Sequence, residues 1–110
     1  MKQDENGEVY RSKFHDKLTD QLFEAILRLE NLEECYRFFE DLCTVNEIKS
    51  LAQRLEVARM LKEKKTYNEI AEKTSASTAT ISRVNRSLNY GADGYKIILD
   101  RLSSKEEQDI

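Results

Sequence analysis

The sequence predicts an all-α fold, and three observations support this class. Apolar side chains recur every three or four residues over most of the chain, which is the spacing of one face of a helix. The 110 residues include no proline, and valine and isoleucine outside helical registers are too scarce to predict a strand. Polar residues of the types that begin helices also precede several of the apolar runs.

The composition argues against a membrane or secreted protein. Charged residues make up 35% of the chain and the mean hydropathy is −0.71, whereas a membrane span needs about 18 consecutive apolar residues. The N-terminal stretch MKQDENGEVY is too acidic for a signal peptide, so we expect a cytoplasmic protein. Cys35 and Cys43 are then expected to be reduced thiols in the core. With a single histidine, His15, which we expect to face solvent, the sequence predicts no metal site.

The charges are unevenly distributed along the chain. Residues 1–50 carry seven basic and twelve acidic side chains, whereas residues 51–101 carry ten basic and six acidic ones. The stretch 73–92 contains three basic residues and no acidic residue. A polyanion can approach such a stretch without meeting a like charge. The second half of the chain is therefore the candidate for contact with nucleic acid.

The first part of the chain predicts an arm and two helices. Residues 1–14 lack apolar periodicity and predict a mobile arm. A helix with one apolar side is expected over about residues 16–30, and Asn31 begins a second helix that runs to about residue 43. The apolar side chains of the second helix cover an arc of roughly 160° at about 100° per residue. We expect this helix to be buried on two sides, against its own domain and a second copy of the chain; a helix deep in a monomer core is the alternative.

Thr44 begins the third and longest predicted helix. Glu47 completes a capping box, in which each of the two side chains accepts the backbone N–H of the other residue. The helix is expected to end near residue 63, where the run KEKK at residues 62–65 places positive charge at its C-terminal end. These lysines either stabilise the helix end alone or also contact phosphates.

Two short helices follow, and their spacing predicts a helix-turn-helix over about residues 66–89. Thr66 and Glu69 form another capping box, so a helix begins there. This helix is expected to end within residues 74–76, because Ser77 offers an N-cap hydroxyl for the next one. Spacing alone is a moderately specific signal, since many helical hairpins share it.

The second helix of this pair has an apolar side and a polar side. Ile81, Val84 and Leu88 fall together on a helical wheel and are expected to pack inward. The opposite side presents short hydroxyls, a methyl group, an amide and a guanidinium: Thr78, Ala79, Ser82, Asn85 and Arg86. These groups suit a DNA major groove, where threonine and alanine contact a thymine methyl, asparagine reads adenine, and arginine reads guanine or binds phosphate. An ordinary solvated face is the alternative, but acids and lysines would be expected on it.

The segments YRFFEDLCTVNEIKSLAQRLEVARML and TISRVNRSLNYGADGY resemble the Trp repressor superfamily, most closely its branch known as the Trp repressor-like YerC/YecD family. The resemblance covers nearly everything after the first 15 residues. It implies a six-helix protomer that intertwines with a second copy as a homodimer and presents two helix-turn-helix units to successive major grooves. By this resemblance Tyr67–Thr74 is the supporting helix and residues 77–89 are the recognition helix.

The same resemblance defines the expected boundaries. Residues 15–102 form one helical DNA-binding domain, whose last helix ends at about Leu102, and residues 103–110 form a mobile C-terminal tail. Gly91 is expected to stop the recognition helix in a left-handed conformation, which glycine adopts readily.

Tryptophan-binding members of the family hold their effector between the long helix and the recognition helix. Thr44, Arg54, Arg83 and Ser87 are of the same types as the residues that surround the amino acid there. Val84, however, stands where those members have a glycine beside the indole, and its isopropyl group would crowd a flat ring. We therefore expect no cofactor and no tryptophan effector; a smaller amino acid, or no ligand at all, stays open.

The two arginines have another interpretation, which we favour. Arg54 and Arg83 are expected to pair with Glu56, with Glu69 or with the partner chain, or to contact DNA phosphates. In that case they are structural or DNA-binding residues, and no effector is required.

These observations together predict a homodimeric transcription regulator, with repression as the expectation, that binds double-stranded DNA at a pseudo-palindromic operator. The residues expected at the DNA are Lys65, Thr66, Asn68, Lys73, Ser77, Thr78, Ala79, Ser82, Asn85 and Arg86. Among them the two lysines, Thr66 and Arg86 are assigned to phosphates, and Asn68 is included by resemblance. The alternative is a protein-interaction module that docks on another regulator or on RNA polymerase. An enzyme is not expected, because the sequence has no Ser/His/Asp set, glycine-rich phosphate loop or metal-ligand spacing.

Overall fold

The computed structural model describes the backbone of residues 10–108 and the side chains of residues 10–104. This part of the chain forms six α-helices and contains no strand. They are α1 (Lys17–Leu27), α2 (Leu32–Leu42), α3 (Val45–Lys62), α4 (Tyr67–Thr74), α5 (Thr78–Tyr90) and α6 (Gly94–Gln108). The predicted all-α class is confirmed. Most of the predicted N-terminal arm, residues 1–14, lies outside the described residues.

The helices α3, α4 and α5 begin at the capping residues that the sequence predicts. At α3 the Thr44 hydroxyl accepts the N–H of Glu47 at 3.1 Å, and the Glu47 carboxylate accepts the N–H of Thr44 at 2.8 Å. Thr66 and Glu69 form the same reciprocal pair at α4, and the Ser77 hydroxyl caps α5. These bonds satisfy N–H groups that a helix leaves without partners, so local sequence alone fixes the three starts.

The helix ends differ more from the predictions. The helix α6 continues to Gln108, so the expected end of the last helix at about Leu102 is wrong and residues 103–108 are helical; the mobility expected of residues 103–110 stays a prediction. Lysine, glutamate and glutamine favour helix, and no glycine or proline interrupts this run. Gly91 does end α5, but its φ is −90° and its conformation is not left-handed. Glycine suits this position because a Cβ atom there would lie 2.3 Å from the carbonyl oxygen of Ser87.

The chain divides into two compact units, residues 1–42 and residues 43–110. In the N-terminal unit neither α1 nor α2 has a buried residue. The large apolar side chains exposed on these two helices are Leu18, Phe23, Leu27, Leu32, Tyr36 and Leu42. The burial of α2 that the sequence predicts is therefore not present within the N-terminal unit itself.

The C-terminal unit has its own apolar core. The helix α3 packs against α4, α5 and α6, and α5 also contacts α4 and α6. The buried side chains are Val57, Ala58, Met60, Ile70, Ala76, Ile81, Val84 and Leu99. Ile70 from α4, Ala76 from the turn and Ile81 from α5 show that every part of the helix-turn-helix is anchored in this core.

In the part of the chain that the structure describes, the cysteines and the histidine form neither a disulfide nor a metal site. Cys35 and Cys43 are free thiols, and both are half-buried, so their expected place in the core is not found within one chain. His15 is partly exposed and lies 3.1 Å from the carboxylate of Asp20. Among the described residues there is no cluster of three potential metal ligands. None of the helices described is long and apolar enough to cross a membrane.

Candidate nucleic-acid interface

A short turn joins the two helices of the helix-turn-helix, and the chain changes direction at Ser75. The helix α4 ends at Thr74, and Ser75 has a left-handed backbone with φ 62° and ψ 15°. Its N–H donates to the carbonyl of Ala71 at 2.9 Å. A left-handed residue other than glycine costs about 1 kcal/mol or more, so other contacts must stabilise this turn.

Those contacts come from Thr74 and from α3. The Thr74 hydroxyl donates to the carbonyl of Ile70 at 2.7 Å and accepts the N–H of Ala76 at 3.1 Å. The side-chain amide of Gln53, in the middle of α3, donates to the carbonyl of Thr74 at 3.1 Å. Sequence reasoning missed Gln53, because a contact between residues so far apart in the chain leaves no local pattern.

The helix α5 has the two sides that the sequence predicts. Ile81 and Val84 are 0% and 1% exposed, and Leu88 is half-buried. The residues that face away from the core and are exposed include Thr78, Ala79, Ser82 and Arg86. No residue of α5 is acidic. The orientation of the helix is thus confirmed, and the contact of its outer side with DNA stays a prediction.

Asn85 is placed differently from the other candidate base-reading residues. It is half-buried, and its side-chain oxygen accepts a hydrogen bond from the Asn89 amide at 3.0 Å. The same Asn89 amide donates to the backbone carbonyl of Asn85 at 2.9 Å. Because it is half-buried and tied to Asn89, Asn85 is less accessible to a base than the exposed Thr78 or Ser82.

Three of the four residues assigned to phosphates lie at or on α4, namely Lys65, Thr66 and Lys73, and the fourth, Arg86, lies on α5; all are exposed. Asn68, which the family resemblance adds, is also exposed on α4. Lys65 and Lys73 line one open cavity of about 450 Å³, which the acidic Glu69 and Glu72 also line. The Thr66 hydroxyl accepts its capping bond and keeps its own proton to donate to a phosphate.

The acids expected to pair with Arg54 and Arg83 have other partners. The Glu56 carboxylate accepts bonds from Arg59 at 2.7 and 2.8 Å, and Arg59 is the main reason that the pKa of Glu56 is lowered. The Glu69 carboxylate is used in the cap of α4. The predicted pairing with these two acids is therefore wrong: Arg59 binds both oxygens of Glu56, and Glu69 uses one of its oxygens to cap α4. Within residues 10–104, Arg54 and Arg83 form no ion pair, which leaves the partner chain and DNA phosphates as their expected contacts.

The positions of the predicted effector pocket differ in exposure. Thr44, Arg83 and Ser87 are exposed, and Arg54 is half-buried. Val84 is part of the apolar core. The side chain that sequence reasoning placed in the way of an indole is therefore packed on the inner side of α5.

Two short helices, a left-handed turn between them and an acid-free outer side on the second helix define a helix-turn-helix protein. Residues 17–103 match the family model described as Trp repressor protein. The chain belongs to the Trp repressor family, as the resemblance in the sequence predicted.

Close relatives support this assignment. The uncharacterized protein YerC of Bacillus subtilis (strain 168) is 64% identical over 96 residues, which cover 87% of this chain and 92% of YerC. The crystal structure of a candidate Trp repressor from Staphylococcus aureus is 60% identical and has a TM-score of 0.79, covering 83% of this chain and 91% of that one. A TrpR-like protein from Eubacterium eligens ATCC 27750 is 64% identical with a TM-score of 0.80, over 83% of this chain and 94% of its own.

Proposed function

We propose that the protein is a sequence-specific DNA-binding transcription regulator that acts as a homodimeric repressor. The observation that carries the proposal is the outer side of α5, where Thr78, Ser82 and Arg86 are exposed and no acid is present. Short side chains at the start of a helix let its backbone approach base edges in the major groove. A regulator of this kind works in the cytoplasm, and it acts by binding and not by catalysis.

Positive charge around the helix-turn-helix supplies the attraction for the DNA backbone. Lys65, Lys73 and Arg86 are all exposed, and the stretch 73–92 contains no acid. Each contact with a phosphate fixes the register of the protein on the duplex but does not read its sequence. Sequence reading is then assigned to Thr78, Ala79 and Ser82, with a smaller part for Asn85.

The homodimer is proposed from the apolar side chains that one chain leaves exposed. In the N-terminal unit Leu18 is 80% exposed, Leu27 66% and Leu32 74%. Apolar patches of this kind on a small protein are typical of interfaces with other proteins. A second copy of the chain is the proposed partner, since two helix-turn-helix units match a palindromic operator with half-sites about one DNA turn, roughly 34 Å, apart.

Tryptophan is not the effector in this proposal. Val84 is 1% exposed and shares the core with Val57 and Ile81, so an indole would have to displace packed atoms. Overpacking a core by a few carbon atoms typically costs about 1–3 kcal/mol. Titration calorimetry checks this point, and micromolar tryptophan binding would contradict it.

DNA footprinting tests the proposal. The purified protein is incubated with a library of fragments from its own genome, and the protected fragments are identified. The binding constant for the fragment bound most tightly is then measured at salt concentrations between 50 and 300 mM. Three cationic side chains per protomer predict a slope of log K against log salt of about −5 for the dimer. Protected sites with a twofold-related sequence are the expected result.

The alternative, docking on another regulator or on polymerase, gives a different result. Binding to an apolar protein groove releases few counterions and need not weaken steeply with salt. A protein that binds all fragments with equal affinity, or none of them, contradicts the proposed function.

A further inference from the structure

We propose that Gln53 is a positioning residue of the helix-turn-helix, whose side-chain amide fixes the turn between α4 and α5. Its consequence for DNA rests on the function proposed above. Gln53 lies outside both short helices, in the middle of α3, and its side chain is half-buried. Gln53 is not among the residues proposed to contact DNA, and its side-chain amide donates to the backbone carbonyl of Thr74.

The carbonyl of Thr74 needs a partner that neither short helix supplies. This carbonyl belongs to the last residue of α4. The last carbonyl groups of a helix receive no hydrogen bond from an N–H of the same helix. The next residue, Ser75, turns the chain into the left-handed region, so the helix cannot continue. The amide of Gln53 donates to this carbonyl at 3.1 Å, in a partly buried place where an unpaired carbonyl would be costly.

Further hydrogen bonds connect the residue that Gln53 binds to the start of α5. The Thr74 hydroxyl accepts the N–H of Ala76 at 3.1 Å, and Ala76 is 5% exposed in the core. The hydroxyl of Ser77 accepts the N–H of Thr80 at 3.1 Å and so begins α5. The turn thus has one apolar anchor, the methyl group of Ala76, and one polar anchor, the amide of Gln53. Two anchors restrict rotation of the turn about either one.

Orientation of α5 matters more for sequence reading than for charge attraction. The helix α4 has 8 residues, too few for stability of its own, so its orientation relative to α5 depends on tertiary contacts. Base contacts require side chains to be placed within hydrogen-bonding distance, whereas phosphate attraction tolerates small shifts. Loss of the Gln53 donor is therefore expected to lower the preference for the specific sequence while leaving non-specific binding nearly unchanged.

The test compares Gln53→Met, which has no donor but a similar volume, with Gln53→Glu, whose carboxylate cannot donate. The control is Ser104→Ala, an equally uncharged change at an exposed position of α6. Affinities are measured for the fragment protected most strongly in the footprint and for a shuffled fragment of equal length. Hydrogen exchange of the Ala76 amide is measured on the free proteins.

Gln53→Met is expected to lower the ratio of specific to shuffled affinity by about three- to tenfold, the worth of one hydrogen bond, and to speed Ala76 exchange by at least threefold. Gln53→Glu is expected to behave like Gln53→Met at pH 7.5 but to recover part of the ratio near pH 5, because a protonated carboxyl group donates. Ser104→Ala is expected to change neither the ratio nor the exchange of Ala76.

An unchanged ratio and unchanged exchange in Gln53→Met overturn the positioning role. So does an equal loss on both fragments, since a protein that is only less stable loses both in proportion. If the wild type binds no DNA at all, the proposed function fails, but the exchange of Ala76 in the two Gln53 variants still decides whether Gln53 orders the turn.

Discussion

The two units of the chain differ in what they bury. The N-terminal unit presents two amphipathic helices without a single buried residue, whereas the described part of the C-terminal unit has a core of eight buried side chains from four helices and the turn after α4. The C-terminal unit therefore has the core that holds the helix-turn-helix together within one chain. The N-terminal unit exposes apolar side chains that a partner can cover. In the proposed regulator it would therefore mediate assembly, and the C-terminal unit would mediate recognition.

The two units also differ in charge. Residues 1–42 carry six basic and eleven acidic side chains, whereas residues 43–110 carry twelve basic and ten acidic ones. An acidic half is repelled by a polyanion and a basic half attracted by it. The half with exposed apolar helices is thus also the half less suited to DNA, which fits a division of roles between assembly and recognition.

The largest expected effect comes from breaking the proposed dimer. Phe23 is 54% exposed on α1, and Phe23→Asp places a charge where the partner would bury a ring. Burying one phenylalanine is worth about 1.5–3 kcal/mol, and symmetry changes two of them, so the dimer dissociation constant is expected to rise at least about 100-fold. Sedimentation equilibrium measures it. The control Gln21→Glu adds a charge to the same helix without removing apolar area, and equal dimer stability in both variants would refute the assignment.

A smaller effect is expected from the core of the C-terminal unit. Ile70 is fully buried, and Ile70→Ala is expected to cost about 2–4 kcal/mol through lost burial and a cavity. Urea unfolding measures this loss, with Glu72→Ala on the same helix as an exposed control. Amides of α4 and α5 are expected to exchange faster in Ile70→Ala while the dimer persists at high protein concentration. Dissociation of Ile70→Ala to monomers would show that the two units do not have separate roles.

The reading surface of α5 is expected to show changes of about 1–3 kcal/mol in discrimination between sequences. The double change Ser82→Ala with Asn85→Ala should relax sequence choice and leave the dimer intact, with most of the loss from Ser82, because Asn85 is already bonded to Asn89.

Arg86→Ala should weaken binding to all sites alike and reduce the magnitude of the salt slope by about 1 per protomer. Competition binding assays against altered sites measure both, and the reverse pattern would exchange the roles of these residues.

Local signals in the sequence predicted the helix-turn-helix well. The bounds of α4 follow from the capping pair Thr66 and Glu69 at its start and from the cap of the next helix at Ser77. The inner side of α5 follows from the spacing of Ile81 and Val84. Each of these signals acts within a few residues, which is why single-sequence reasoning can find it.

The features that sequence reasoning missed are of two kinds. Gln53 reaches the turn from α3, a contact between residues that are distant in the chain and leave no local pattern. Glu56 pairs with Arg59, three residues further along the same helix, where Arg54 or Arg83 was expected; the spacing of this pair is a local signal that the sequence does contain. The lack of burial in α1 and α2 is of the first kind, since periodicity shows which side is apolar but not whether it lies inside one chain.

The smallest expected effect is on the pH dependence of stability, and it concerns one helix cap in each unit. Hydrogen bonds from Thr19 lower the pKa of Asp16, the N-cap of α1, and those from Thr44 lower the pKa of Glu47 at α3. A carboxyl group with a lowered folded pKa stabilises the fold fully above its unfolded pKa, about 3.9 for aspartate and 4.3 for glutamate, and this contribution is lost as pH falls through the folded value.

Asp16→Asn and Glu47→Gln keep side chains that can still cap a helix but remove the charge. Urea unfolding between pH 3 and pH 7 is therefore expected to show the wild type more stable than either variant near pH 7, with the difference shrinking as the pH falls below the unfolded pKa values. If the two units unfold separately, Asp16→Asn changes only the N-terminal transition and Glu47→Gln only the C-terminal one, as followed by amide exchange in α1 and in α3. A difference that stays constant with pH would show that these carboxylates act without their charge. Identical changes in both transitions would show instead that the two units unfold together.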